Sequence, residues 1–437
     1  MENKQYIVSL EIGSSKIVGV IVSKSIVSGV SSVIAVEEEK ISDCVRYGCI
    51  KNVEETKVHI NNVIRRLEAR IPQSRITGVF VGIAGRSLRS IPNEVSTTLN
   101  GENGVTSETI KTILKEARNE VFAGFDILDV TPRRFLVDNL EVKNPIGTFG
   151  SEIEASVNII VAKSLLKANI RRVIDNGIEI KGLLVTPLAV ASSILSPEAR
   201  QLGCMLIDMG AETTTVSIYK NDALEYLATL PLGGRNITRD VMSLQLLEES
   251  AENLKKSIGN ARLTNGGNEI SYNGLQVSEV VNYISARSGE IIANINEQLS
   301  FAEIKNSDLP AGIIIIGGGS HLNGFIELLE QTTKMKVNRG SYPIGLQMEG
   351  NTPSDIDIIP AVSIANIAAK MIPNTENCLR RVMPELPKEP VNGTDQGDKK
   401  NDKKKHSEDK KSQNSKMAKL FTRVKTIFDE DENETEE

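Results

Sequence analysis

An acid, a glycine and a run of hydroxyls stand together at Asp208, Gly210, Thr213 and Thr214. A carboxylate ahead of the glycine and hydroxyls behind it suit a nucleotide phosphate, because glycine admits the backbone closely while threonines and exposed N–H groups donate. Asp208 is then placed to hold a metal through water. Alone, the stretch is equally well read as an ordinary hairpin with a polar turn. A second copy changes the balance: Glu11, Gly13, Ser14, Ser15 and Lys16 repeat the pattern of acid, glycine and hydroxyl about two hundred residues earlier. Two such turns match a duplicated pair of domains facing one nucleotide. Gly317, Gly318 and Gly319 close a buried apolar run from Gly312 and let main chain lie flat on a base or ribose. Glu252 and Lys255, three apart on one helix face, are suited to clamping the ribose and base, or to a solvated surface pair.

The elements that must hold these groups follow from periodicity. Apolar and β-branched runs on both sides of each turn predict two hairpins, Tyr6–Leu10 with Ile17–Val22 and Met205–Ile207 with Val216–Tyr219. Val53 to Arg70 has helical spacing, with Val58, Ile60, Val63, Ile64 and Leu67 toward a core. Gly78 to Gly85 predicts a central strand, and Cys44 to Ile50 a connecting loop around Gly48. Ser87 to about Ile159 forms a compact unit with a strand at Val95–Leu99, a helix from an N-cap at Ser107, a second helical position at Val121 and Phe122, and a returning strand. Ser164 to Asn176 is a crossover helix, and Pro187 starts another. Helices are predicted over Ile237–Lys256 and Val277–Leu299, the latter with Val280, Val281, Ile284, Ile291, Ile292, Ile295 and Leu299 at core spacing. Ile358 to Ile372 reads as a buried helix, being interrupted by Pro360, Asn366 and Lys370.

The ordered set of two phosphate hairpins, a Glu-x-x-Lys helix and a Gly-Gly-Gly turn resembles the actin-like ATPase superfamily, over about Tyr6 to Ile372. Within it the chain most resembles the bacterial FtsA family. Glu11 replaces the commoner Asp, and Leu230 to Asp240 looks like the family's segment after the second hairpin. The resemblance implies an α/β, actin-like (ribonuclease H-like) two-domain fold: residues 1–86 and 160–202 as domain 1A, 87–159 as the inserted subdomain 1C, 203–221 and 309–372 as 2A, and 222–308 as 2B. It implies ATP with Mg²⁺ in the cleft, with Gly13, Ser14 and Lys16 on one side of the phosphates and Asp208, Gly210, Thr213 and Thr214 on the other. Glu252, Lys255, Gly317, Gly318 and Gly319 would hold the adenosine. Ile284 to Ile291 resembles the segment that meets the C-terminal tail of the tubulin-like FtsZ, so Arg287 with Asn294 would receive an acidic peptide. A plain surface pair is as good an account of any one of these residues. No residue is identifiable as a base orienting water, and hydrolysis is expected to be weak or absent.

Composition narrows the alternatives. A chain of 437 residues is too long for one core. With 51 basic against 57 acidic residues and a net charge of -6, it has no global nucleic-acid footprint. Cys44, Cys49, Cys204 and Cys378 show neither metal-ligand spacing nor a disulfide framework, which fits a reducing cytoplasm. His59, His321 and His406 are scattered, which argues against a zinc site. The start of the chain shows no signal-peptide core, and no apolar run approaches the roughly 20 residues of a spanning helix.

The end of the chain differs in kind. Residues 373–415 are expected to be a disordered, charge-mixed linker, with no apolar side chain between Asn392 and Lys416 apart from glycine. Over 416–428, Met417, Leu420, Phe421, Val424, Ile427 and Phe428 recur at three- and four-residue steps, while Lys419, Arg423 and Lys425 cover other faces. So short a helix is marginal alone in water, so its stripe must be covered, by the protein's own body or by an anionic membrane surface. FtsA proteins end in such a helix. Residues 429–437 add an acidic extension that anionic lipid would repel.

Through the resemblance the sequence predicts a peripheral protein on the cytoplasmic side of the membrane at the division site, self-associating into filaments, binding FtsZ and recruiting later divisome proteins. Two other readings stay open: a pilus-assembly ATPase of the PilM type, and a carbohydrate kinase of the same superfamily.

Overall fold

The computed structural model describes residues 4–99, 104–174, 177–263, 271–272, 274–343, 345–349 and 356–381. The helix expected at 416–428, the acidic extension and the part of the expected linker after residue 381 therefore lie outside the described residues.

Two β-sheets carry the body. The first has six strands in the order Glu179–Val185, Gly78–Ile83, Lys4–Ile12, Lys16–Ser25, Ser31–Lys40 and Leu346–Met348. Its centre is buried on both faces, since Gly78–Ile83 has no exposed residue and Val18 to Val22 are covered throughout. One covering helix is Val53–Arg70, capped by Asn52, whose side chain accepts from the Glu55 N–H at 3.1 Å. It buries Thr56, Ile60, Val63, Ile64 and Leu67, whereas Val58, expected inward, is 57% exposed. Gly19 lets this helix lie close: a Cβ there would fall 2.6 Å from Val63 Cγ1. The other face is covered by Ile359–Met371, most of whose residues are buried.

The second sheet has nine strands. Its order runs Leu140–Glu141, Phe125–Val137, Glu152–Lys163, Arg89–Thr98, Ala223–Leu230, Thr214–Lys220, Cys204–Met209, Ile313–Ile316 and Val337–Arg339. The expected insertion thus does not stand apart, because its strand Arg89–Thr98 continues into the second domain's sheet through the pair Ala228 and Arg89. Buried Asn158 stitches the seam, its Nδ2 donating to Leu224 O at 2.7 Å and Glu225 O at 3.1 Å. Arg133 also pairs with Glu225. The insertion keeps a core of its own, including Ile113, Ala117, Ile153, Val157 and Val161.

Several local expectations shift. The helix Ser107–Ala117 is capped by Thr106 rather than Ser107, in a reciprocal box with Thr109. Val121 and Phe122 are not helical; the chain turns at Gly124, φ +74, into the strand at Phe125. The predicted helix Ile237–Lys256 is two helices, Gly234–Met242 and Glu248–Ser257, because Gln245 takes φ 61 and Leu247 is extended. Cys44–Ile50 is a small hairpin, Val45–Arg46 with Cys49–Ile50, turned by Tyr47 and Gly48 at φ 53 and 71. Residues 373–381, expected to be linker, are packed on the body instead. Gln5 Nε2 donates to Pro373 O and Glu376 O, Cys378 is fully buried, and Leu379–Arg381 pairs with Ser74–Ile76.

Candidate nucleotide site

The repeat seen in the sequence is a repeat of geometry. In the first hairpin Gly13 N–H donates to Lys16 O at 3.0 Å; in the second Gly210 N–H donates to Thr213 O at 2.8 Å. Each turn follows a strand that ends one residue before its glycine, and an acid sits two residues before that glycine: Glu11 in one, Asp208 in the other. Each strand pairs with the one its turn leads into, Ile12 opposite Ile17 and Met209 opposite Thr214. Both glycines face carbonyls closely: added Cβ atoms would lie 3.0 Å from Lys16 O and 3.1 Å from Thr213 O.

The glycine turn is locked onto the second hairpin. Ile313–Ile316 runs parallel to Met205–Asp208, so Gly317 emerges beside Met209. With φ 86 and ψ 155, Gly317 occupies backbone space that only glycine takes readily. A Cβ on it would fall 2.5 Å from Met209 O and 2.6 Å from Asp208 Oδ1. Gly318 opens a short 3-10 turn, Gly318–His321, and Gly319 packs on the Met209 side chain.

Lys255 and Glu252 arrive from helix Glu248–Ser257. Lys255 Nζ donates to Gly234 O at 3.0 Å, Thr238 Oγ1 at 2.9 Å and Glu252 Oε2 at 2.6 Å. Burial pushes the lysine down against the pull of Glu252, and burial pushes Glu252 up but is outweighed by Lys255 and Thr238, leaving its carboxyl below its ordinary value. This is a part-buried network rather than a solvated pair. It borders the glycine turn, since a Cβ on Gly234 would meet Lys255 Nζ at 3.6 Å and Gly319 Cα at 3.9 Å.

Charge accumulates between the turns. Glu11 is pushed up to about 7, by burial first and then by Asp208. Asp208 is pushed up to about 6, again by burial and then by Asp357. Carboxyl groups raised by burial and by one another are an environment that a cation relieves, so the donor set fits a hydrated Mg²⁺. Lys16 Nζ sits 2.7 Å from Glu38 Oε2 and 3.9 Å from Asp357 Oδ2, while Asp357 Oδ1 lies 3.3 Å from His321 Nε2.

Not every expected donor points into the site. Thr214 is buried and its hydroxyl donates to Leu232 O at 2.8 Å, so it braces the hairpin. Arg287 is already engaged, donating to Asp240 through Nε at 2.6 Å and Nη2 at 3.0 Å, and pairing with Glu290. Asn294 turns its Nδ2 back to Glu290 O at 2.9 Å. The scattered histidines still yield one juxtaposition among the described residues: ligand atoms of Cys44, Glu55 and His59 lie within 4.8 Å of one another. Their other contacts are structural, Glu55 with the Asn52 amide at 3.0 Å and His59 Nδ1 3.2 Å from Glu39.

Other residues enter that the sequence does not single out as ligands: Glu212, Gly233, Gly234, Thr238 and Asp357, beside Glu11, the acid of the first turn. Glu11 was legible as the counterpart of Asp208 in the repeat. Gly233 lies under the second turn, where a Cβ would come 2.6 Å from Gly210 O, and the pair Gly233-Gly234 was a local signal. Asp357 reaches the cleft only through the fold.

Sheets of this order, meeting at two facing acid-glycine turns beside a glycine-rich turn, define an actin-like ATPase fold. The solved PilM-PilN type IV pilus biogenesis complex shares it, with TM-score 0.60 and 19% identity over 86% of this chain and 99% of that one. A family model described as "Cell division protein FtsA" matches residues 205–354, and one described as "SHS2 domain inserted in FTSA" matches residues 85–161. Cell division protein FtsA of Porphyromonas gingivalis (strain ATCC BAA-308 / W83) is 35% identical over 346 residues, 75% of this chain and 72% of that protein. The FtsA of Bacillus subtilis (strain 168) is 29% identical over 361 residues, 78% of this chain and 80% of that protein. The chain belongs to the FtsA family of cell division proteins. Among the described residues no helix is long and apolar enough to cross a membrane.

Proposed function

We propose that this cell division protein binds ATP with Mg²⁺ between the two hairpin turns and, so loaded, polymerises into filaments on the cytoplasmic face of the membrane. Gly13, Ser14 and Lys16 would meet the phosphates from one side, and Gly210 and Thr213 from the other, with Thr214 acting as a brace. Asp208 would hold Mg²⁺ through water, supported by Glu11. Gly317, Gly318 and Gly319 with Glu252 and Lys255 would hold the adenosine. The observation that carries this reading is the duplicated turn: the same glycine-to-carbonyl bond and a carboxylate two residues before the glycine, Glu11 in one and Asp208 in the other, occur in both hairpins.

The filament would tether the FtsZ ring and recruit later division proteins, and the stripe at 416–428 would rest on anionic lipid. Each copy binds weakly, and assembly multiplies that binding through avidity. Since Arg287 is held by Asp240, an acidic FtsZ tail would have to exchange with that carboxylate, a trade that arginine's five donors allow.

Vesicle sedimentation tests the whole reading. With anionic vesicles and Mg·ATP the full chain sediments, and a chain stopped before Lys416 stays in the supernatant. Equal sedimentation of the two, or no difference between ATP and no nucleotide, would count against it. Retention of this protein on an immobilised FtsZ tail peptide, reduced by Arg287→Glu, tests the partner separately.

A further inference from the structure

The second phosphate turn carries a side chain that phosphate binding alone would not select. Glu212 is fully buried at its tip, where an uncompensated negative charge would repel the ligand. Four donors compensate it. Oε1 accepts from Arg46 Nε at 2.8 Å and Arg239 Nη2 at 2.6 Å, with Arg235 Nη1 at 3.5 Å. Oε2 accepts the Tyr47 N–H at 2.7 Å. Burial opposes the charge, and the Tyr47 and Arg46 hydrogen bonds with the arginine charges overcome it, holding the carboxyl below its ordinary value.

These donors come from both sides of the cleft. Arg46 and Tyr47 belong to the small hairpin beside the first sheet, and Arg235 and Arg239 to helix Gly234–Met242 beside the second. The connections reach the first phosphate turn as well. Arg235 Nη1 donates to Ser14 O and Ser42 O, both at 3.3 Å, and the Gly48 N–H donates to Ser14 Oγ at 2.8 Å. Nor is the small hairpin free to drift: a Cβ on Gly48 would strike Gly85 Cα at 2.6 Å, and Tyr47 lies under the guanidinium groups of Arg46 and Arg86.

We propose that Glu212 is a positioning residue that couples nucleotide phosphate to closure of the cleft, a role that rests on the ATP reading above. A buried carboxylate is tolerated when its partners are all in place and becomes costly when some leave. Opening the cleft would carry Arg46 and the Tyr47 N–H away while Arg235 and Arg239 stay. A phosphate that draws the two turns together keeps all four donors in reach, and by reciprocity the assembled cluster tightens the phosphate site.

The test uses the full chain, a fluorescent ATP analogue with Mg²⁺, and hydrogen exchange at the Tyr47 and Gly48 amides with and without Mg·ATP. In the native protein ATP slows exchange at Tyr47. Glu212→Gln and Arg46→Gln weaken ATP binding roughly tenfold and abolish that slowing, and Arg46→Lys, which keeps the charge, recovers part of both. Arg46 is 30% exposed and lies across the cleft, so Arg46→Gln carries the test even if Glu212→Gln fails to fold. Unchanged ATP affinity in Arg46→Gln, or Tyr47 exchange indifferent to bound ATP in the native protein, overturns the coupling while leaving the ATP site intact. Native protein that binds no ATP overturns the ATP reading and the coupling with it.

Discussion

A buried carboxylate surrounded by three arginines titrates in a direction that can be worked out. Glu212 is held below its ordinary value of 4.5, so the folded state binds fewer protons there than the unfolded chain. Its contribution to stability is complete above about 4.5 and is lost as pH falls through the lower folded value. Asp43 and Glu248 ion-pair with the same arginines, Arg46 and Arg235. In thermal unfolding, the native protein should exceed Glu212→Gln most at neutral pH, and the gap should narrow as pH drops below about 4.5. A gap that stayed constant would mean the charge is not what the arginines hold. Gly317 makes a second residue-scale case. Gly317→Ala forces a side chain into a glycine-only backbone region, at about 1–3 kcal/mol, and drives it onto Met209 O. Urea unfolding should show that loss, and binding of the ATP analogue should weaken with it.

At the scale of elements, the seam between the insertion and the second domain decides how independent the insertion is. One backbone pair joins the sheets, so the side chains of Asn158 and Arg133 carry much of the polar linkage. Asn158→Ala would leave the Leu224 and Glu225 carbonyls short of a donor, at about 1–3 kcal/mol, read as a lower urea midpoint. An unchanged midpoint would show that the seam is slack. The helix break at Gln245 matters for a similar reason. It lets Glu248–Ser257 fold back so that Lys255 reaches Gly234 and Thr238, which one straight helix could not arrange.

For the whole molecule, the composition of residues 416–437 sets up two opposed charges. The acidic residues after Phe428 stand next to the cationic, apolar stripe and would oppose anionic lipid. A chain stopped after Phe428 should sediment with anionic vesicles more completely than the full chain, and the difference should shrink as salt screens the charge. If removing the extension weakens binding, the stripe is not held at the surface by its cations.

Much of this was legible in the residues because turns, caps and amphipathic stripes are local. An acid two places before a glycine, repeated far along the chain, predicts facing phosphate turns. The spacing of Ile60, Val63, Ile64 and Leu67 defined the inner face of a helix, since a period of 3.6 residues needs no partner to be recognised. What the residues alone could not reveal were alliances between distant segments. Glu212 meets Arg46 across a separation of 166 residues, and Ala228 pairs with Arg89 from a distant stretch of the chain. Lys255, Arg287 and Thr214 found partners inside the chain that their types did not specify. A side chain's chemistry states what it can bind, but burial and neighbours select which of those partners it holds, and both arise only when the sheets are brought together.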